Sequence, residues 1–200
     1  DNGELATSTS SEEVLIYKDT WGIPHIEAQN KHDAIFAYGS TVAKDRLFQM
    51  DLQRRLSQGK LSELLGDDLV EIDIMFRTYL FKNWAENYLS SSHLSEESLS
   101  YVNAFVEGVN HFVETGEKPF EYYLLNANVE SFSAVDVASM TAYMAFTFMD
   151  GIRFDGLYTM LKEKVGEKNM VILFPDYADN NYMTIKDCLL YTSDAADDSA

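Results

Sequence analysis

The feature that constrains the fold most is a run of apolar residues at helical spacing between Ser95 and Gly116. Leu94 precedes Ser95, and Leu99 occupies the fourth helical position, which is the arrangement of a hydrophobic staple around an N-cap serine. The apolar residues of the run are Leu99, Val102, Phe105, Val106, Val109, Phe112 and Val113. Because they recur every three or four residues, they predict one helix with a buried face, ended by Gly116.

A second helix is predicted from Asn30 towards Ser57. Asn30 followed by Asp33 is typical of an N-cap with an acidic first turn, and Gly59 stops the helix. The positions spaced for its buried face are Ile35, Tyr38, Val42, Leu47 and Met50. The same helix carries Asp45, Arg46, Arg54 and Arg55, which we interpret as ion pairs that fix its position rather than as catalytic groups.

Other segments predict further elements. Residues 68–89 are so rich in apolar positions that they predict a largely buried helix; these positions are Leu69, Ile72, Met75, Phe76, Tyr79, Leu80, Trp84 and Tyr88. Residues 118–125 read as an extended aromatic connection. Residues 133–149, which open with Ser133 and Asp136, and residues 154–164 each predict one more helix.

A β-hairpin is predicted at the start of this helical region. Val14–Tyr17 is β-branched and aromatic, Asp19–Gly22 makes the turn, and Ile23–Ile26 returns. Pro24 restricts the second strand to an edge or to its start. His25 is expected to be a hydrogen-bonded structural histidine. The fold class is therefore α+β, mostly helical, with an N-terminal β-hairpin.

The two ends differ in composition from the middle. Residues 1–12 are polar, acidic and rich in serine and threonine, so we expect a flexible lead, and no signal peptide is visible. Residues 188–200 lack both amphipathic period and basic residues. We interpret them as a non-native tail that resembles translated adaptor sequence, with a genuine frayed terminus as the alternative. Cys188 is the single cysteine, which excludes an internal disulfide framework.

The charge of the chain excludes several classes of partner. Fifteen Lys and Arg against 33 Asp and Glu give a formal net charge of -18. Nucleic acids and anionic membranes are held by clustered basic residues, so we expect neither as a partner. No stretch approaches the roughly 20 apolar residues of a membrane span.

Three sequence blocks carry a recognisable pattern, although standard catalytic motifs such as Walker A, His-Glu-x-x-His and Gly-x-Ser-x-Gly are absent. The blocks are Trp21–Ala28, Val42–Arg55 and Gln58–Gly66. In this order they closely resemble the start of the penicillin amidase (penicillin acylase) family of N-terminal-nucleophile hydrolases. The resemblance continues more weakly through Pro119–Leu125 and the 133–149 helix.

The resemblance implies that residues 13–187 are the α-chain region of a longer precursor. The nucleophile would be a serine at the start of a second, β chain, with its own α-amine as the base and an oxyanion hole for the intermediate. This chain would contribute helices and an early strand pair to a four-layer αββα fold. No cofactor would be required, no serine of this chain would be the nucleophile, and the chain alone would be inactive.

The resemblance also implies site residues. A Met and a Phe of the family's acyl pocket correspond to Met144 and Phe148, whose i, i+4 spacing presents one polarisable apolar face; the alternative is that both fill the core. Penicillin G acylases have an arginine where this chain has Thr147, so neither their phenylacetyl preference nor that arginine's gating role carries over. Several family members bind a structural calcium ion, for which Asp155 is the candidate ligand, with helix capping as the alternative.

Two hypotheses about function follow. In the first, the chain pairs with its β chain as a periplasmic or secreted acylase for a small N-acyl compound, such as a β-lactam side-chain amide or an acyl-homoserine lactone. In the second, it is a stand-alone acidic helical binding module without catalysis. Exposed apolar surface distinguishes them, because an α chain without its partner would leave the hairpin and the Met144–Phe148 face uncovered.

Overall fold

The computed structural model describes residues 3–5, 13–91, 94–149 and 151–173, so the predicted tail at 188–200 and most of the predicted lead lie outside the described residues. The strands are β1 (Gly3–Leu5), β2 (Val14–Lys18) and β3 (Pro24–Glu27). The helices are α1 (Lys31–Gln58), α2 (Ser62–Leu65), α3 (Val70–Tyr79), α4 (Phe81–Leu89), α5 (Glu96–Thr115), α6 (Phe120–Leu124), α7 (Ala134–Thr147), α8 (Gly151–Val165) and α9 (Glu167–Leu173). The chain divides into two units after Phe148.

The strands form an antiparallel sheet in the order β1-β2-β3. The pair β2–β3 is the predicted hairpin, with Lys18 opposite Pro24. Its turn closes where the Gly22 N–H donates to the Asp19 carbonyl at 3.0 Å, and the positive φ of 78° at Gly22 suits glycine. Pro24 begins an outer strand of the described sheet, as predicted. The strand β1 was not predicted, since residues 3–5 were assigned to the lead.

The two long helices begin and end close to their predicted positions. The Asn30 side chain caps α1 by accepting the Asp33 N–H at 2.9 Å, and the Ser95 hydroxyl caps α5 by accepting the Ser98 N–H at 3.1 Å. Gly59 ends α1 in the left-handed conformation, with φ of 63°. Local hydrogen bonding by short polar side chains therefore sets these boundaries, as the sequence indicated.

The helices α1 and α5 approach each other at two glycines. A Cβ atom at Gly39 of α1 would overlap the carbonyl oxygen of Phe105, and one at Gly108 of α5 would overlap the carbonyl oxygen of Phe36. Neither glycine has a positive φ, so backbone conformation does not require glycine there. The small space between the helices does. The two backbones are consequently in direct contact.

The hydrophobic core lies beside this contact. Its buried members are Ala43, Leu47, Met50, Val106, Val109 and Phe132. The Asn110 side chain of α5 secures the segment before α7, donating to the Phe132 carbonyl at 2.9 Å and accepting the Phe132 N–H at 2.7 Å. The predicted buried face of α1 is right for Leu47 and Met50 but wrong for Tyr38, which is 55% exposed.

The prediction of a largely buried helix over 68–89 is wrong. The segment forms two helices, α3 and α4, which meet at Leu80 with φ of 59°. Phe76 and Ala85 are buried, but six other apolar side chains lie 36–55% exposed: Ile72, Met75, Tyr79, Leu80, Trp84 and Tyr88. At about 100° per residue, the exposed apolar residues within each helix share one side with the buried Phe76 or Ala85, and the described neighbours cover only part of that side.

The predicted extended connection at 118–125 is also wrong, because Phe120–Leu124 forms the short helix α6. Pro119 precedes it with φ of -53°, a value that the ring fixes and that suits the start of a helix. Tyr122 is fully buried and holds α6 in place, while Tyr123 is 64% exposed. The contact that decides this conformation is distant in sequence, so the local pattern missed it.

The second unit, as far as it is described, consists of α8 and α9. The helix α8 agrees with the prediction for 154–164 and is followed by Gly166 with φ of 78°. Within the ranges described, none of the helices combines the length and the apolar character needed to cross a bilayer.

The close approach of α1 and α5 generates a first prediction. We expect Gly108→Ala to lower the free energy of unfolding by about 3 kcal/mol, because the new methyl group meets backbone that cannot rotate away. The matched control is Gly156→Ala in α8, where a Cβ would meet nothing within 4 Å and alanine raises helix propensity. Urea denaturation checks both variants, and an equally small effect of both would contradict the proposed close contact.

Candidate functional site

The helix α7 carries the predicted acyl-pocket residues at its end. It begins with a capping box, in which the Asp136 carboxylate accepts the Ser133 N–H at 2.7 Å. Met144 lies in the last turn, and Phe148 is the residue that follows the helix. Met144 is 55% exposed and Phe148 is 80% exposed, so neither side chain fills the core of this chain.

The side of α7 that carries Tyr143 and Phe146 packs against an aromatic cluster. The cluster is formed by Phe76, Tyr79 and Phe81 of α3 and α4 with Tyr143 and Phe146 of α7, at ring centroid distances of 4.9–6.1 Å. At about 100° per residue, Met144 and Phe148 lie on a side of the helix roughly opposite to this cluster. The aromatic contacts therefore hold the end of α7 while leaving the Met144–Phe148 face uncovered.

The Met144–Phe148 face is an open surface in this chain. The Thr147 hydroxyl donates to the Met144 carbonyl at 2.7 Å, so this side chain caps the end of the helix locally. A groove of about 990 Å³ lies between α1, α5 and α6, but neither Met144 nor Phe148 lines it. An acyl pocket at Met144 and Phe148 would consequently need a second wall from other parts of the protein.

The predicted metal ligand Asp155 lies on the exposed surface of α8. In the part of the chain that the structure describes, no group of three or more His, Cys, Asp or Glu side chains is arranged to hold a metal ion. Calcium requires six to eight oxygen ligands. The described residues therefore offer one carboxylate at this position and do not form a calcium site by themselves.

The structure brings together a buried charge network that was predicted in part. Asp51 of α1 is fully buried and pairs with both Arg54 and Arg55. Arg54 also donates to the backbone carbonyls of Glu130 and Ser131 at 3.2 and 3.0 Å. The prediction that Arg54 and Arg55 form buried ion pairs is confirmed.

The other two charges predicted to be ion-paired lie on the surface. Asp45 pairs with Lys18 of β2 at 2.9 Å, with both side chains more than a third exposed. Arg46 is exposed at the point where the backbone of α1 leaves helical geometry. Surface pairs contribute little to stability, so these residues do not fix α1 as predicted.

Tyr122 completes the buried network from a distant part of the chain. Its hydroxyl donates to Asp51 Oδ2 at 2.9 Å. Burial, followed by the negative charge of Asp51 and this hydrogen bond, raises the pKa of Tyr122 above its ordinary value of 10.0. The phenol consequently remains protonated and acts as a donor. The i, i+3 and i, i+4 spacing of Asp51 to the two arginines could have predicted that it pairs with them. No local signal identifies Tyr122 as its third partner.

A second buried carboxylate, Asp73 of α3, caps α2 from outside. It accepts the Leu61 N–H at 2.7 Å, the Ser62 N–H at 2.9 Å and the Ser62 hydroxyl. Burial opposes the charged form, but the hydrogen bonds from Ser62 and Leu61, together with the charge of Arg77, outweigh it. The pKa of Asp73 therefore lies below its ordinary value of 3.8.

His25 has the structural role that was predicted for it. Its Nε2 lies 3.2 Å from Asp19 Oδ2, and its ring stacks on Tyr17 with a centroid distance of 5.0 Å. The Ile23 N–H, and then the His25 side chain, hold the pKa of Asp19 below its ordinary value. These contacts stabilise the hairpin turn, and the hydrogen-bond partner of His25 within the turn is Asp19.

Comparison with known proteins gives the relationship. The family model described as penicillin amidase matches residues 13–187. The chain belongs to the penicillin amidase family. Relatives in this family include the penicillin acylase 2 proenzyme of Pseudomonas sp. (strain SE83), which is 38% identical over 130 residues, 64% of this chain and 16% of that protein. Penicillin G acylase of Escherichia coli is 30% identical over 175 residues, 82% of this chain and 20% of that protein.

Another relative is named for a different substrate. Acyl-homoserine lactone acylase QuiP of Pseudomonas aeruginosa is 30% identical over 173 residues, 86% of this chain and 20% of that protein. Among solved structures, a thermostable penicillin G acylase from Alcaligenes faecalis matches with a TM-score of 0.64 and 25% identity, covering 88% of this chain and 96% of that chain. The chain thus spans about a fifth or less of the length of these curated relatives.

The buried network generates a prediction about stability. We expect Tyr122→Phe to lower the free energy of unfolding by about 1–3 kcal/mol, because it removes a hydrogen bond to a buried carboxylate. Tyr123→Phe is the matched control, since this neighbouring side chain is 64% exposed. Chemical denaturation of both variants measures the difference, and similar midpoints would show that the buried hydrogen bond contributes little.

The capping carboxylate generates a prediction about pH. At neutral pH we expect Asp73→Asn to cost about 1–3 kcal/mol, because asparagine has one acceptor oxygen where the carboxylate has two. Since the folded pKa of Asp73 is lowered, its contribution is present above the unfolded value near 3.8 and disappears as pH falls through the folded value. Unfolding curves between pH 7 and pH 2 should therefore converge, and a constant difference would argue against this assignment.

Proposed function

We propose that this chain is the α-chain part of an acylase that hydrolyses the amide bond of a small N-acyl compound to a carboxylic acid and an amine. The nucleophilic serine belongs to a second chain released from the same precursor. The observation that carries the proposal is the difference in coverage. The chain matches 16–20% of the full-length relatives but 96% of one chain in a penicillin G acylase structure, so a polypeptide of this extent is a separate chain there.

The name of one relative supports the precursor. The penicillin acylase of Pseudomonas sp. (strain SE83) is described as a proenzyme. In the proposed enzyme, cleavage exposes the serine whose α-amine serves as base, and the two chains build an αββα N-terminal-nucleophile fold together. We place the enzyme in the periplasm or outside the cell, an assignment that rests on the family resemblance.

The proposed role of Met144 and Phe148 is to form one wall of the acyl pocket. Their support is the 55% and 80% exposure of two apolar side chains on one face of a helix end that aromatic packing holds from behind. A Met–Phe surface contacts aliphatic and aromatic acyl groups through shape and dispersion. Thr147 is too short to reach across such a pocket, so we expect an acyl preference different from that of enzymes with arginine there.

The proposed structural calcium ion depends on the second chain. Asp155 is our candidate for the one ligand that this chain supplies, and its exposure on α8 is compatible with that role. The remaining oxygen ligands would come from the β chain or from water. Catalysis itself does not require the ion.

The alternative, a stand-alone acidic binding module, is less well supported. A finished module is expected to cover its apolar surface. Here Trp21 at the hairpin turn is 86% exposed and Ile23 is 55% exposed, in addition to Met144 and Phe148. Such a distribution suits a chain that packs against a partner.

The test of the proposed function uses the full-length precursor. We expect it to cleave itself into two chains, the second beginning with serine, and to release acid and amine from a panel of phenylacetyl, β-lactam and acyl-homoserine lactone amides. N-terminal sequencing of the second chain and chromatography of the products measure this. A precursor that stays in one piece and hydrolyses none of the panel would favour the binding module.

The acyl-pocket role has its own prediction. In the full-length enzyme we expect Met144→Ala and Phe148→Ala to change the ratio of kcat/KM between short and long acyl groups by about 10–100-fold. The control is Met160→Ala, which removes the same side chain at a similar exposure of 57%. If all three variants keep the wild-type ratio, Met144 and Phe148 do not contact the acyl group.

A further inference from the structure

The C-terminal end of α1 is bonded to two other helices of the first unit. Gln58 is the last residue of α1, and its side chain is buried. Its Nε2 donates to Asp136 Oδ1 in the first turn of α7. Gly59 follows, and its carbonyl accepts the Nε–H of Arg77 in α3 at 2.7 Å. One short segment therefore contacts both the start of α7 and the helix α3.

The carboxylate of Asp136 joins this contact to the helix cap. Its Oδ2 accepts the Ser133 N–H at 2.7 Å and the Ser133 hydroxyl at 2.8 Å, which belong to the capping box. Its Oδ1 accepts the hydrogen bond from Gln58. Hydrogen bonds to a charged acceptor are stronger than those between neutral groups. The cap of α7 by itself requires only the bonds to Ser133, so the bond from Gln58 has a separate consequence: it fixes the start of α7 relative to α1.

The other end of α7 is held through α3 and the residue that follows Leu80. The ring of Phe146, in the last turn of α7, lies 4.9 Å from the ring of Tyr79 and 5.6 Å from that of Phe81. Tyr79 lies two residues after Arg77 on the same helix. The hydrogen bond from Arg77 to the end of α1 therefore also determines where the ring of Tyr79 lies. Both ends of α7 are positioned with reference to the end of α1.

A helix transmits a change of orientation at its start to its end. With 14 residues at 1.5 Å per residue, α7 is about 21 Å long. A tilt of about 5° at its start would displace its end by about 2 Å. Misplacement by about 1 Å is enough to affect a reaction strongly, even when the altered residue is distant from it. A change at Gln58 is consequently expected to move Met144 and Phe148.

We propose that Gln58 is a positioning residue for acyl selectivity: its hydrogen bond to Asp136 sets the orientation of α7 and thereby the place of the Met144–Phe148 face. This inference rests on the proposed function, which assigns that face to the acyl pocket. Gln58 acts through α7 and not through contact with the substrate. Its loss should therefore change the discrimination between acyl groups, whereas a merely structural role would change only the amount of folded enzyme.

Kinetics of the full-length enzyme test the proposal. Gln58→Met keeps a long, unbranched side chain and removes the donor, so we expect it to change the ratio of kcat/KM between short and long acyl groups by about tenfold. The change should lie mainly in KM, because the reacting groups are untouched. Gln49→Met is the matched control, since it makes the same substitution at an exposed position of α1. A wild-type ratio in Gln58→Met would overturn the proposal.

An exchange of donor and acceptor tests the hydrogen bond itself. Gln58→Glu places two carboxylates against each other, so we expect altered selectivity and a lower yield of folded protein. Adding Asp136→Asn restores one donor and one acceptor, because the new amide nitrogen donates to the new carboxylate while the amide oxygen still accepts the Ser133 N–H. The double variant should return to within about twofold of the wild-type ratio. A double variant no closer to that ratio than either single variant would contradict the proposal.

Hydrogen exchange separates failure of this inference from failure of the proposed function. In the full-length protein, Gln58→Met should accelerate amide exchange by about fivefold in the last turn of α7 as well as in its first turn. Faster exchange in the first turn alone is the result expected of a simple cap and would overturn the positioning role. If the wild-type protein hydrolyses amides but the variant keeps its selectivity, the acylase stands and the positioning role is rejected. Faster exchange in the last turn without any amide hydrolysis would reject the acylase and support the positioning of α7.

Discussion

The direct contact between the backbones of α1 and α5 is the constraint on which the rest of the first unit depends. Gly39 and Gly108 permit it, since a methyl group at either position would overlap a carbonyl oxygen of the other helix. Ala43 and Ala104, each four residues from one of these glycines, are fully buried and extend the line of small residues. With the helices this close, the apolar side chains beside the contact meet Phe132 and form one core.

The charge network around Asp51 connects that helix pair to the segments that lead to the candidate site. Arg54 binds Asp51 and two backbone carbonyls before α7, Tyr122 attaches α6, and Gln58 donates to Asp136 in the first turn of α7. Buried ion pairs often add little net stability compared with apolar packing, because removing charges from water is costly. Their consequence here is positional, since each hydrogen bond fixes where α6 or α7 begins relative to α1.

The second chain that we propose accounts for the apolar residues left exposed. In a complete globular protein, Met144, Phe148 and the exposed apolar residues of α3 and α4 would be an aggregation hazard. In the acylase that we propose, Met144 and Phe148 contact the acyl group. The aromatic cluster holds the end of α7 in place, because its rings on α3 and α4 pack against the same helix that ends at Phe148.

The sequence by itself determined the local features: the β-hairpin, the caps at Asn30, Ser95 and Ser133, the glycine at the end of α1, and the motifs of the penicillin amidase family. These depend on neighbours within a few residues, so their physical cause is visible in the sequence. Only the tertiary structure decided that residues 68–89 break at Leu80 and remain partly exposed, and that a hydrogen bond from Tyr122 to Asp51 accompanies the helix α6 in place of an extended connection. Tyr122 and Asp51 are 71 residues apart, so their contact depends on tertiary packing and is not visible in the local sequence.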